Sequence, residues 1–419
     1  MQTDQTDQSD QTDTAEVPAR LSVSVIVFMA TAAAVGTATI YPMQPAITTV
    51  ADSLGTDIAS IGLALAGGPV GYMIGLALLV PLVDRLPPGR VLAAQFGVLA
   101  LGLAVSAAAG TVTLLAAGMV VIGACSSVGA GLSSFAGRLA PVRRRATVLG
   151  TVTAGISVGV LGGRIVGGWL TGEFGWRVML LVLAATCGLI ALGCVLVLPD
   201  AAVAGGRGYL ASLRSVPGLI VRHPVLRSAA LRGSLWFFAF CTVWAGIAVA
   251  LSEAPHSLSA GQIGLYALAG LSGLLATQVA GRWTDRVGAR RVTLVGLLLA
   301  GAAAVAVGFS LSNTVVTLIC LAIFDAGLFA AQVANQSTVL AIDPAAPARF
   351  NSAYMLVYFV GGSLGTACGV AAVEWFGWPA TALVAAAAIV TAAAQMRPTS
   401  GGRTPRAGRA RRRAGRCGA

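Results

Sequence analysis

Stretches of about 20 apolar residues recur along this chain from Leu21 to Gln395, and each is long enough to cross the ~30 Å hydrocarbon layer of a bilayer. Twelve are readable, at 21–43, 57–83, 91–109, 111–137, 146–171, 178–198, 227–252, 261–282, 291–311, 314–338, 349–372 and 378–395. A backbone in lipid must satisfy its own hydrogen bonds, so runs of this length are helices. Composition agrees: 57% of residues are hydrophobic and 10% charged, against roughly a quarter charged in soluble domains. The expected fold class is an all-α polytopic membrane protein of 12 transmembrane helices. The expected organisation is a polar acidic leader (1–20), a six-helix bundle (21–198), a cytoplasmic linker (199–226), a second six-helix bundle (227–396) and an Arg-rich tail (397–419).

All 27 basic residues are Arg. Without Lys there is no phosphate loop of the GxxxxGK[ST] kind and no Schiff-base lysine. The net charge of +12 does not mark a nucleic-acid binder, because the Arg residues are sorted by loop. Sixteen lie in or beside the even-numbered loops, eight in the tail, and the odd-numbered loops hold only Arg177. That is the positive-inside pattern, and it predicts both termini in the cytoplasm and the chain in the cytoplasmic membrane.

The leader MQTDQTDQSDQTDTAEVPAR lacks the basic start and short apolar core of a signal peptide and reads as disordered. The tail reads as a solvated segment that enforces topology or touches anionic headgroups. Six of the seven Cys lie in spans and none forms a CxxC pair, while both His, His223 and His256, fall in loops. No metal site and no cofactor is expected. GISVG (155–159) matches a nucleophile pattern, but it sits inside a span with no His to act as base, so no enzyme is expected.

The two halves repeat one another. Gly159, Gly163 and Gly167 map onto Gly361, Gly365 and Gly369 at an offset of 202, and Phe174-Gly175-Trp176 maps onto Phe376-Gly377-Trp378. Parallel repeats of six helices, with a site between them at mid-membrane, are a transporter plan. Stripes of small residues fall on span two (Gly67, Gly71, Gly75), span five (Gly155, Gly159, Gly163, Gly167), span eight (Ala269, Gly273, Thr277, Gly281) and span eleven. Such stripes let backbones approach closely, and these four helices are expected to form the sliding contact between the halves.

CLAIFDAGLFAAQVANQ (320–336) sets Asp325 in the middle of span ten. A charge at that depth costs about 2.5–3.5 kcal/mol, so it should face protein or water. Phe329, Gln332 and Gln336 share its helical face and Asn335 borders it, which predicts a cavity-lining helix. The other carboxylates lie in tails, loops or membrane edges. Asp325 is therefore the one intramembrane side chain able to carry a proton, and a carboxyl withdrawn from water takes one more readily. Three readings stay open: a site for a proton or substrate cation, an ion pair with Arg164 (the one base deep in a span), or a structural polar group. Gln44 is the polar residue of span one, where Pro45 should loosen the helix end. Tyr41, Trp236, Trp244, Phe329, Tyr354 and Tyr358 are candidate aromatic walls for an organic solute, or interface anchors.

GRWTDRVGARR (281–291) resembles the signature loop of the major facilitator superfamily, with Gly281, Asp285, Arg286, Gly288, Arg290 and Arg291 in place. PLVDRLPPGR (81–90) is similar to its degenerate first-half copy, keeping Asp84, Arg85 and Arg90. The run GISVGVLGGRIVGG resembles the glycine-rich motif of the family's antiporters, with Arg164 where Pro is common. YPMQP (41–45) and the span-ten and span-eleven segments are similar to twelve-span bacterial exporters of the drug/proton antiporter branch. The resemblance covers nearly the whole chain between the tails. It implies the major facilitator fold, two six-helix bundles that rock, and proton-coupled efflux of a small organic solute; a monomer is the expected unit. It also implies that the signature loops act as conformational latches. An importer or uniporter, and a non-transporting sensor on the same fold, are the alternatives.

Overall fold

The computed structural model describes residues 22–83, 85–141, 144–198, 218–343 and 347–396. The leader, the tail, most of the linker and Asp84 lie outside the described residues. Ten described stretches are long and apolar enough to cross a membrane. One of them, Arg349–Ala394, is two helices joined at Gly377, where φ is 78° and ψ 170°. Counted as spans eleven and twelve, and joined by the shorter apolar helix Val23–Ala38 as span one, they complete the twelve-span plan. Span two is Ile58–Leu82, span five Arg145–Phe174, span seven Pro224–Ser252, span eight Ala260–Val287 and span ten Thr314–Leu340.

Span one is shorter than the apolar run suggests. Pro42 and Pro45 lack the N–H an α-helix needs, and the chain leaves the helix after Ala38, passing through a 3-10 turn at Gln44–Ala46 into Ile47–Leu54. An even number of spans puts both described chain ends on one face, here termed the terminus side. Spans two and eight start on the far side with matched caps. Asp57 Oδ1 accepts from Ser60 N at 2.6 Å, and Ser259, 202 residues on, forms a capping box with Gln262. The Ser60 backbone N–H holds the Asp57 carboxyl below its ordinary range.

Glycine decides which helices touch. A side chain on Gly155, Gly159 or Gly163 would run into the carbonyl oxygens of Ala30, Ala34 and Ala38 on span one, and Gly167 faces Pro42. Gly361, Gly365 and Gly369 face the carbonyls of Ser234, Phe238 and Thr242 on span seven in the same way. The repeat is thus three-dimensional: an offset of 202 on spans five and eleven meets an offset of 200 on spans one and seven. Backbones this close gain dispersion contact that larger residues would prevent.

The expected role of these stripes is corrected by the same contacts. They bind helices within each half, and Gly71 and Gly75 likewise face Val120 and Ala124 on span four. Gly273 faces Phe329 of its own half, and nothing lies within 4 Å of a side chain begun at Gly281. The halves do meet through spans two, five, eight and eleven, but on other faces. Gly62 packs on Val370, and 202 residues on Gly264 packs on Gly168 and on Arg164 O, which a side chain begun at Gly264 would meet. Glu374 Oε2 accepts from Ala59 N at 2.7 Å, and Tyr72 lies 4.5 Å from Phe359 between ring centroids. These ties lie at mid-depth or towards the far side.

Adjacent glycines of span five separate the two packing roles. Gly163→Ala should destabilise the protein by roughly 1–3 kcal/mol through overpacking, seen as a lower unfolding temperature in detergent. Gly162→Ala should be near neutral, because no atom lies within 4 Å of its added carbon.

Candidate functional site

Span five carries Arg164 to mid-depth, one residue past the glycine that presses on Ala38, so its side chain leaves the helix beside span one and towards span seven. It is 3% exposed. Its Nε donates to Gln44 Oε1 at 2.8 Å, and its guanidinium carbon stands 4.6 Å from the Trp244 ring, 4.8 Å from Tyr41 and 5.5 Å from Phe240. A cation over ring faces gains about 2 kcal/mol where water is excluded. Arg164 Nη2 is buried and has no hydrogen-bond partner among the described residues.

Asp325 is 2% exposed and accepts from Trp244 Nε1 at 3.1 Å. Trp244 therefore stands between the two charges, its face to the base and its N–H to the acid. Arg164 and Asp325 are neighbours through this ring and make no direct ion pair among the described contacts. Gln44 and Trp244 occupy equivalent places on spans one and seven, 200 residues apart, and both hold Arg164.

The rest of the span-ten stripe differs from the cavity wall its sequence suggests. Trp236 Nε1 and Tyr354 OH donate to Gln332 Oε1 at 3.1 and 2.7 Å. Asn335 Oδ1 accepts from Arg232 Nε at 2.9 Å while its Nδ2 donates to Ala229 O at 2.9 Å. Gln336 donates to Asn351 Oδ1 at 2.8 Å. Spans seven and ten run antiparallel, and 244 with 325, 236 with 332 and 232 with 335 form three rungs of one seam. Polar groups in an apolar bundle must find partners, and these find them inside the second half. Tyr358 stacks on Phe237 at 4.0 Å and joins Trp236 at 5.2 Å in an aromatic cluster beside the seam.

Of the candidate residues, then, Asp325, Arg164, Gln44 and Tyr41 come together, and Gln332, Asn335 and Gln336 lie along the seam. Arg232, which the sequence groups with the arginines in or beside the even-numbered loops, sits inside the span-seven helix. Its spacing of four from Trp236 was the available signal. The donor role of Trp244 had no signal beyond its place on that stripe. Two cavities of about 10 Å³ each flank Gln44, about the space of one water. One is lined by Tyr41, Phe237 and Phe359, the other by Arg164, Trp244 and Tyr266.

The signature-loop residues lie on the terminus side. Asp285 and Arg286 are exposed on the last turn of span eight, Gly288 makes the turn with φ 89°, and Arg290 Nη2 donates to Met396 O at 2.9 Å. That loop holds the end of span twelve, in its own half. Arg90 and Arg291 are exposed, and Arg85 is half-buried.

Two six-helix halves enclosing buried polar groups at mid-depth are the architecture of a membrane transporter. The family model described as Major Facilitator Superfamily matches residues 26–256 and 234–414. "Uncharacterized transporter YgaY" of Escherichia coli O157:H7 is 30% identical over 366 residues, covering 87% of this chain and 93% of that protein. "Probable transporter SCO4007" of Streptomyces coelicolor is 31% identical over 360 residues, covering 85% and 83%. The solved nucleoside transporter NupG shares the fold at a TM-score of 0.74 and 14% identity, over 89% of this chain and 98% of its own. The chain belongs to the Major Facilitator Superfamily.

Gln332 is the acceptor shared by two buried donors. Gln332→Leu should lower stability by about 1–3 kcal/mol for each donor left unpaired, measured as the thermal unfolding of the purified protein in detergent.

Proposed function

We propose that this protein is a secondary active transporter that exports a small organic solute, coupled to protons, through the site around Arg164, Trp244 and Asp325. The observation that carries the reading is a carboxyl 2% exposed at mid-depth of span ten, held by the indole of span seven at 3.1 Å. Such groups face a protein interior or a water-filled path and mark proton relays. Asp325 is the proton carrier in this reading. Arg164, which reaches from the first half onto rings of the second, senses the relative position of the halves.

The ties at mid-depth and beyond, with the signature loop bound within its own half, support a resting conformation closed on the far side. By the positive-inside pattern that side is the cell exterior, and the site opens to the cytoplasm when the terminus-side ends part. Export rests on the resemblance to drug/proton exporters. The working unit is a monomer in the cytoplasmic membrane, because the site is complete within one chain.

The test uses the full chain in liposomes, loaded with an organic-acid and organic-amine panel under an imposed pH gradient. Wild type should move solute and protons together in time. Asp325→Asn should lose uphill movement by at least tenfold and keep downhill exchange. Uphill flux surviving Asp325→Asn would remove the proton role, and flux that ignores the gradient in wild type would make the protein a uniporter.

A further inference from the structure

We infer that the solute bears a carboxylate or comparable anionic group on a flat apolar body, and that Arg164 Nη2 is the group that recognises it. This rests on the transporter reading above and goes beyond it by assigning the chemistry of the cargo and the sign of its coupling to protons.

The buried guanidinium is the starting point. Arg donates through five N–H groups and accepts through none. Gln44 takes Nε, three rings cover the faces, and Nη2 is left buried without a partner among the described residues. A buried charged donor left unpaired is costly. The nearest carboxylate, Asp325, is engaged with Trp244 instead. The arrangement keeps a donor of fixed direction vacant at the centre of the molecule, which is what an incoming anion requires. Bidentate or charge-assisted bonds from Arg to a carboxylate are among the strongest and most directional available.

The two small cavities describe the remainder of the cargo. They meet at Gln44, which lines both. The one lined by Arg164 holds the charge, set among Trp244, Tyr266 and aliphatic side chains. The other is walled by Tyr41, Phe237 and Phe359, with Cys241 and Thr366 beside them, a setting for a planar group. In this conformation both are collapsed to about 10 Å³, so a solute enters only as the halves part.

Charge then fixes the coupling. With Asp325 ionised, Arg164 and Asp325 sum to zero and an added anion feels the acid. With Asp325 protonated the pair carries one positive charge, and an anion is welcome. Proton and anion therefore favour each other's binding, and by linkage the effect is reciprocal. A cationic solute would do the reverse and compete with the proton. Co-movement of an acid anion with a proton is electroneutral, and an outward gradient of the acid drives its export. The antiporter resemblance implies exchange; Arg164, standing where that motif commonly has Pro, supplies the charge that changes the sign.

The experiment uses benzoate, benzamide and benzamidinium, one ring bearing charges of −1, 0 and +1. Binding to the purified full chain in detergent is read by tryptophan fluorescence, with proton uptake followed by an indicator dye in weak buffer. Wild type should bind benzoate at least tenfold more tightly than the other two and take up protons as it does so. Arg164→Gln should weaken benzoate at least tenfold and so remove its preference over benzamide. Asp325→Asn should keep benzoate binding and abolish the proton uptake. A preference for benzamidinium, no binding of any of the three, or proton release with benzoate would overturn the inference. The wild-type ranking alone decides the charge class should Arg164→Gln fail to fold. Failure of the liposome flux with this ranking intact would count against transport and leave the anion site standing.

Discussion

A guanidinium removed from water has to be solvated by the protein, and everything at the centre of this fold is arranged around that requirement. Arg164 is met by an amide from span one and rings from spans one and seven, and among the described residues it makes no ion pair with a carboxylate. Aromatic faces compensate a cation only in part, so the charge remains available to something else. Placing it on the span that also contacts span eight ties its environment to the separation of the halves. Any rocking motion that moves span five relative to span seven strips rings from Arg164 and must replace them with water or solute.

The internal repeat builds a symmetric frame for asymmetric chemistry. Glycines at 159, 163 and 167, and at 361, 365 and 369, seat their helices on backbone carbonyls with the same geometry in both halves. On the far side, Gly62 on Val370 and Gly264 on Gly168 repeat one contact. Within that frame the paired positions diverge. Arg164 has Thr366 as its equivalent, whose hydroxyl donates to Gly362 O at 2.9 Å within its own helix. Gln44 has Trp244. Glu374, which accepts from the first turn of span two, has Gly172. The positions that keep the helices together are shared between the halves, and the positions that bear charge or hydrogen-bond donors towards the centre are not.

Much of this is legible in the amino-acid order alone. Apolar runs gave the spans and their order, because hydrocarbon thickness and backbone satisfaction leave few alternatives. The offset of 202 gave the repeat, and the scarcity of intramembrane charges singled out Asp325 and Arg164. The faces were not legible. A stripe of glycines looks the same whether it meets its own half or the other, and here the partner is the span-one or span-seven backbone. Arg232 groups with the arginines beside the loop because it stands near the start of its span, read from 227, although the helix begins at Pro224 and carries it inside. Trp244 in an apolar run reads as packing, and only its position between Arg164 and Asp325 gives its N–H a purpose.

That intermediate tryptophan has a mechanical consequence. A direct Arg–carboxylate pair in a low-dielectric interior is strong and directional, and breaking it would oppose each cycle. Here the acid's hydrogen bond is to a residue of its own half, and the contact that crosses between the halves is a cation over a ring. A cation over a face tolerates sliding, since its attraction depends on distance more than on donor angle, whereas a hydrogen bond weakens steeply as it bends. At its centre the fold therefore keeps the acid's angle-dependent bond inside one half and crosses the moving boundary with an interaction that yields gradually, while the Glu374–Ala59 hydrogen bond crosses it nearer the far side.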